Sequence, residues 1–74
     1  MHNFNKGDIV QGSYYGTFFE GRIISRKVPQ FDTTYYYIEL TKFETINGYK
    51  MKRILFKVNP QLKYNHNYIE LISK

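Results

Sequence analysis

An Asn47-Gly48 pair lies between two runs rich in β-branched and aromatic residues, and no other stretch limits the fold as much. Tyr35-Tyr36-Tyr37-Ile38-Glu39-Leu40-Thr41-Lys42-Phe43-Glu44 leads into it, and Tyr49-Lys50-Met51-Lys52-Arg53-Ile54-Leu55-Phe56-Lys57-Val58 leads out. A two-residue loop between antiparallel strands needs φ > 0 at both central positions, which Asn and Gly tolerate best. The pattern predicts a long hairpin over residues 34–58. Such a loop also sets a register: Glu44 meets Met51, Leu40 meets Leu55, Thr41 meets Ile54, Glu39 meets Phe56 and Tyr37 meets Val58. Both faces of that ribbon carry apolar side chains, so it must coil, or swap faces at a bulge. In the same register Lys42 opposes Arg53, a like-charge pair that costs stability unless an anion relieves it. Residues 35–40 with 55–58 then read as wall, and residues 41–54 as a protruding basic arm.

The rest of the chain supplies short strands to close this ribbon. Residues 8–14 read as a first strand, interrupted by Gly12, which marks a bulge, a bend or a close backbone approach. Tyr15-Gly16 makes a turn. Residues 17–27 read as a second strand, with Phe19, Gly21, Ile23 and Ser25 toward the core and Phe18, Glu20, Arg22, Ile24 and Arg26 away from it. Residues 28–33, which include Pro29, read as a loop, as do residues 59–66, where Asn59-Pro60 breaks the strand and a 3₁₀ turn would be ordinary. Residues 67–72 read as a last strand. No stretch carries a helical period. A flat five-stranded sheet without a helix would leave one face bare, so an all-β, strongly bent five-stranded barrel is expected. Closure would also remove most exposed edge. Residues 1–74 are read as one domain near the lower size limit for an independent core, with residues 1–6 flexible.

Composition narrows the chemistry. There is no cysteine, so no disulfide or thiolate metal site is available, and His2 and His66 have no ligand-like spacing. No metal and no cofactor is expected. No nucleophile–base pair and no phosphate loop is visible, so an enzyme is not expected either. Eight tyrosines and six phenylalanines must supply the core, and they exceed what so short a chain can hide. Lys plus Arg is 11 against 6 acidic residues, a net charge of +5, which suits a polyanion partner and equally a soluble surface. No apolar run approaches the roughly 20 residues that cross a bilayer, and no signal peptide is visible, so no membrane partner and a cytoplasmic location are expected. The heavy use of Asn, Lys, Ile, Tyr and Phe fits an AT-rich coding sequence such as that of a phage or a low-GC bacterium.

The run Gly7-Asp8-Ile9-Val10, followed by Tyr14-Tyr15-Gly16-Thr17-Phe18-Phe19-Glu20-Gly21-Arg22-Ile23-Ile24, resembles the Tudor/SH3-like barrel pattern. Tyr36-Tyr37-Ile38-Glu39-Leu40 looks like its third strand, and Asn67-Tyr68-Ile69-Glu70-Leu71-Ile72 looks like its closing strand. The resemblance covers most of the chain and implies a small SH3-like barrel with a long hairpin between its third and fourth strands. It also implies an aromatic cage at one mouth of the barrel that holds a methylated Lys or Arg. The matching positions are Tyr14 or Tyr15, Phe19 and Phe43, with Leu40 where the pattern has a ring.

Two groups of side chains carry the functional reading. Lys42, Lys50, Lys52, Arg53 and Lys57 on the hairpin, with Arg22, Arg26 and Lys27 on the second strand, form a basic cluster. Tyr14, Tyr15, Phe18, Tyr35, Tyr37 and Phe43 are candidate exposed rings. Phosphate contacts from Arg22, Arg26, Lys42, Lys50, Lys52 and Arg53, with base stacking on Tyr15, Phe18 and Phe43, are the ingredients of nucleic-acid binding on a small barrel. The same lysines also serve as solvated protection of a long strand edge. The expected role is a non-enzymatic module on nucleic acid or a nucleic-acid-bound machine. The alternative is a protein-interaction module, either a phage- or plasmid-type protein occupying a host protein or a Tudor-like peptide reader. Self-association through the edge of residues 8–14 fits either reading.

Overall fold

The computed structural model describes residues 4–30, 33–58 and 67–73. Five strands form one antiparallel sheet: β1 (Ile9–Tyr14), β2 (Thr17–Gln30), β3 (Thr33–Ile46), β4 (Tyr49–Val58) and β5 (Tyr68–Ser73), in the spatial order β4-β3-β2-β1-β5. No helix among the described residues is long and apolar enough to cross a membrane. Both tight turns use left-handed backbone, which Asn and Gly tolerate and which Tyr15 adopts against the preference of a bulky side chain. Asn47 and Gly48 sit at φ 53° and 84°, and Tyr15 and Gly16 at φ 50° and 80°. The reading of residues 59–66 as a loop, with its 3₁₀ turn, lies outside the described residues, as do both histidines.

The expected closed barrel is not formed. β4 and β5 are the two edges of an open sheet. The sheet nevertheless curls. In a flat sheet β1 and β4 would stand three strand spacings apart, roughly 14 Å. Here the Tyr14 hydroxyl donates to the Leu55 carbonyl at 3.3 Å, and its ring lies 5.8 Å from that of Phe56. Two interior glycines permit the curl. A Cβ on Gly12 would overlap the Tyr68 carbonyl oxygen, and one on Gly21 would stand 2.5 Å from the Glu39 carbonyl oxygen. β1 is an interior strand, flanked by β2 and β5, so self-association through residues 8–14 has no free edge to use.

The hairpin register departs from the two-residue-loop expectation a short way below the turn. Glu44 does face Met51, but Glu39 faces Arg53, Tyr37 faces Leu55 and Tyr36 faces Phe56. Five steps along β3 therefore match two along β4, and β3 carries three extra residues at a bulge between Glu39 and Glu44. An odd offset exchanges the paired faces. Ile38 and Leu40 on β3 now share the core side with Ile54 and Phe56 on β4. The surplus length bends the tip inward: Ile46 is buried, Met51 packs on the core, and the Thr17 hydroxyl donates to the Thr45 carbonyl. The upper hairpin is thus a flap folded over the core and not a protruding arm.

A second bulge, at Ile24, resets the faces of β2. Ile23 pairs with Ile38, yet Ser25 pairs with Tyr37 and Lys27 with Tyr35. Arg22 and Arg26 consequently lie on opposite sides of the sheet, against the strict alternation expected for residues 17–27. β2 also runs on through residues 28–30, where a loop was expected. Pro29 is accommodated because the register slips between Lys27 and Gln30, so no ladder bond is required of it.

The core comprises Val10, Phe19, Ile23, Tyr36, Ile38, Leu40, Ile46, Ile54, Phe56 and, from outside the sheet, Phe4. Phe4 meets Tyr36 edge-on at 5.4 Å, and its N–H donates to the Tyr36 hydroxyl at 3.1 Å. The Gly7 N–H donates to the Ile23 carbonyl, and the Ile23 N–H donates to the Asp8 carbonyl. Phe4, within the segment 1–6 expected to be flexible, is buried in this core.

Gly12→Ala is expected to destabilise the protein by about 2–3 kcal/mol, the upper part of the range for overpacked positions, because the neighbour that must move is backbone. Urea denaturation measures this, and an unchanged midpoint would mean that β5 does not cross β1 so closely.

Candidate functional site

Three cross-strand rows on the outer face of β2–β3–β4 bring the cations together. They are Arg22–Glu39–Arg53, Ser25–Tyr37–Leu55 and Lys27–Tyr35–Lys57. Each row follows from the two bulges, and none follows from the simple hairpin register. Glu39 lies between two arginines, 3.7 Å from Arg22 and 3.8 Å from Arg53. Both pairs are exposed, so each is worth about 0–1 kcal/mol and yields readily to a better anion. The expected opposition of Lys42 and Arg53 does not occur, since Arg53 faces a carboxylate. Lys27 Nζ stands 5.9 Å from the Tyr37 ring centre, and Lys57 Nζ 6.0 Å from that of Tyr35. The face holds four cations against one carboxylate, with two half-buried tyrosines lying among them.

The hairpin flap adds a second basic group. Phe43 is exposed, with Lys50 Nζ 5.2 Å and Lys52 Nζ 5.4 Å from its ring centre. Lys52 Nζ also donates to the Thr41 carbonyl at 3.2 Å. Attraction of an ammonium to an exposed ring is worth about 0.5–1 kcal/mol, enough to orient these lysines but not to hold them against a phosphate. Lys42 is exposed on the same flap.

The remaining expected site residues do not join these groups. Arg26 is exposed, but its row is Arg26–Tyr36–Phe56, on the side away from Arg22. Phe18 is exposed and pairs with Ser13 of β1. Tyr15 sits in the first turn, edge-on to Tyr14 at 4.7 Å, and its N–H donates to Asn67 Oδ1 at 2.8 Å. The cage positions fare worse. Phe19 is fully buried beside Phe56, Leu40 is buried too, and Tyr14 is spent on the seam with β4. A buried ring offers no face to a cation, so Tyr14, Tyr15, Phe19 and Phe43 do not form a cage. Sequence reasoning named Lys27, Lys57, Tyr35 and Tyr37 separately, in two lists. It missed Glu39 as the carboxylate that draws Arg22 and Arg53 together, because that needs the offset register.

Tyr14 lies partly buried beside Tyr15. Burial raises its phenol above the ordinary tyrosine value, and a charged Tyr15 beside it would raise it further. The protonated hydroxyl is the form that donates across the seam. Compared with protein-family models, curated proteins and solved structures, the chain matches none of them.

A phenol whose pKa is raised by folding binds its proton more tightly in the folded state. Its contribution is fully present below the unfolded value, about 10, and is lost as pH rises through the folded value. Tyr14→Phe is expected to flatten the alkaline fall in stability and to cost about 0.5–1 kcal/mol at neutral pH through the lost bond. Denaturation curves across alkaline pH measure both, and identical profiles would rule out Tyr14 as the bridge.

Proposed function

We propose that this protein is a non-enzymatic, cytoplasmic binding module that holds nucleic acid on the outer face of β2–β3–β4. We further propose that its curled sheet is an SH3-like, Tudor-like barrel left open between β4 and β5. The five antiparallel strands and the Tyr14 bridge across the open side support the fold reading.

One observation carries the functional reading: Arg22, Lys27, Arg53 and Lys57 stand against Glu39 alone, with Tyr35 and Tyr37 between them. Phosphates are bound by neutralising charge and releasing counterions, and bases stack on exposed ring faces. Lys50, Lys52 and Phe43 on the flap repeat the same combination. The arginines lose little on leaving Glu39, since exposed ion pairs are weak while bonds from a guanidinium to phosphate are charge-assisted and bidentate.

With about four phosphates neutralised, affinity for a single strand is expected to fall with salt on a log–log slope of about −3, roughly 50-fold from about 50 to 200 mM. Fluorescence anisotropy with a labelled oligothymidine measures it. Lys27→Glu/Lys57→Glu should abolish most binding, while Arg26→Glu, on the other side, should change it least. Absence of binding at low salt would sink the proposal.

A further inference from the structure

The other half of the outer surface has the opposite character. Ser13 pairs with Phe18 on β2 and with Tyr68 on β5, so two rings flank a small side chain across three strands. In the next row Gln11 pairs with Glu20 on β2 and Glu70 on β5, so two carboxylates flank a neutral amide. The alternating positions Gly12, Phe19 and Ile69 point inward, which places both rows on the outside. Phe18 is 57% exposed and Tyr68 49%. Partner positions two strands apart are separated by roughly 10 Å, and successive outward rows by roughly 7 Å. The result is a rectangle with rings at two corners and carboxylates at the other two, floored by Ser13 and Gln11.

The chain has six acidic residues and a net charge of +5. Yet among the described residues neither Glu20 nor Glu70 makes an ion pair. Gln11 Nε2 donates to Glu70 Oε1 at 2.7 Å, which orients that carboxylate without neutralising it. Arg22, the nearest cation along β2, is turned to Glu39.

We propose that this face docks an arginine-bearing segment of a partner protein. A guanidinium is flat enough to lie against a ring and has a fork of donors that matches a carboxylate, which a lysine ammonium does not. Rings bracketing the stem and carboxylates meeting the head satisfy both halves of that side chain. Nucleic acid is disfavoured at the same place, because Glu20 and Glu70 repel phosphate. The site is therefore separate from the basic face and does not depend on it.

The test is a two-dimensional amide NMR titration of the whole chain with a capped glycine–arginine–glycine peptide and with its citrulline counterpart, which keeps the shape and removes the charge. The expected result is saturable shifts at Gln11, Ser13 and Tyr68, weaker by about tenfold or more with citrulline or in Glu20→Gln/Glu70→Gln. Phe18→Ala should weaken binding in the same spectrum. All these positions are exposed or at the surface, and the dispersed spectrum reports that each variant is folded. No saturable shift, or equal shifts with citrulline, would overturn the proposal. Sedimentation velocity should show the chain alone as a monomer; self-association lost in Glu20→Gln/Glu70→Gln would assign the face to a second copy and overturn it as well.

Discussion

Three surplus residues on β3 shape most of this molecule. A two-residue turn would otherwise have made the hairpin a straight ribbon with apolar side chains on both faces. The bulge between Glu39 and Glu44 removes that conflict by an odd offset, after which Ile38, Leu40, Ile54 and Phe56 fall on one side. The same excess length bends the tip over the core, where Ile46 becomes fully buried. A bulge costs ladder bonds locally, but burying one Ile is worth roughly 1.5–3 kcal/mol, and several apolar groups gain at once. The second bulge, at Ile24, keeps β2 in step with the shifted faces and decides that Lys27, not Arg26, joins the outer side.

The curl of the sheet depends on close backbone crossings at Gly12 and Gly21. Phe4 packs on Tyr36 from outside the sheet, and Tyr14 links β1 to the β4 edge with a hydroxyl bond. Neither contact belongs to a continuous ladder. That is why the molecule can have a single shared core while its sheet stays open.

The outer surface divides in two. Cations and tyrosines occupy the β3–β4 side, and carboxylates with Phe18 and Tyr68 occupy the β1–β5 side. From β4 to β5 there are four strand spacings, roughly 19 Å along the sheet. The Debye length at physiological salt is about 8 Å, so the far edges of the two sides are screened from each other, while Glu20 and Arg22, successive outward positions of β2 roughly 7 Å apart, meet at the boundary. At low salt the net charge dominates at a distance, and anions are attracted first.

Much of the local structure was legible in the sequence. Asn47-Gly48 and Gly16 mark turns because Asn and Gly tolerate positive φ, and the alternation around Phe19 and Ile23 marks the inward side of β2. Gly12 marked a bulge, a bend or a close approach, and the structure shows the close approach, to the Tyr68 carbonyl. The candidate site was legible only as parts. Arg22 and Arg53 were named, but their shared Glu39 was not, and Phe19 and Leu40 were assigned to a cage although both are core. The physical cause is one of range. Turn preference and two-residue alternation are properties of neighbouring residues, so the chain by itself determined the strands, the turns and most of the inward set. Register and bulge position are settled by packing between strands, where a shift of an odd number of residues moves every later side chain to the other face. Which charges meet, which rings remain exposed and which edges stay open were therefore decided only by the tertiary structure.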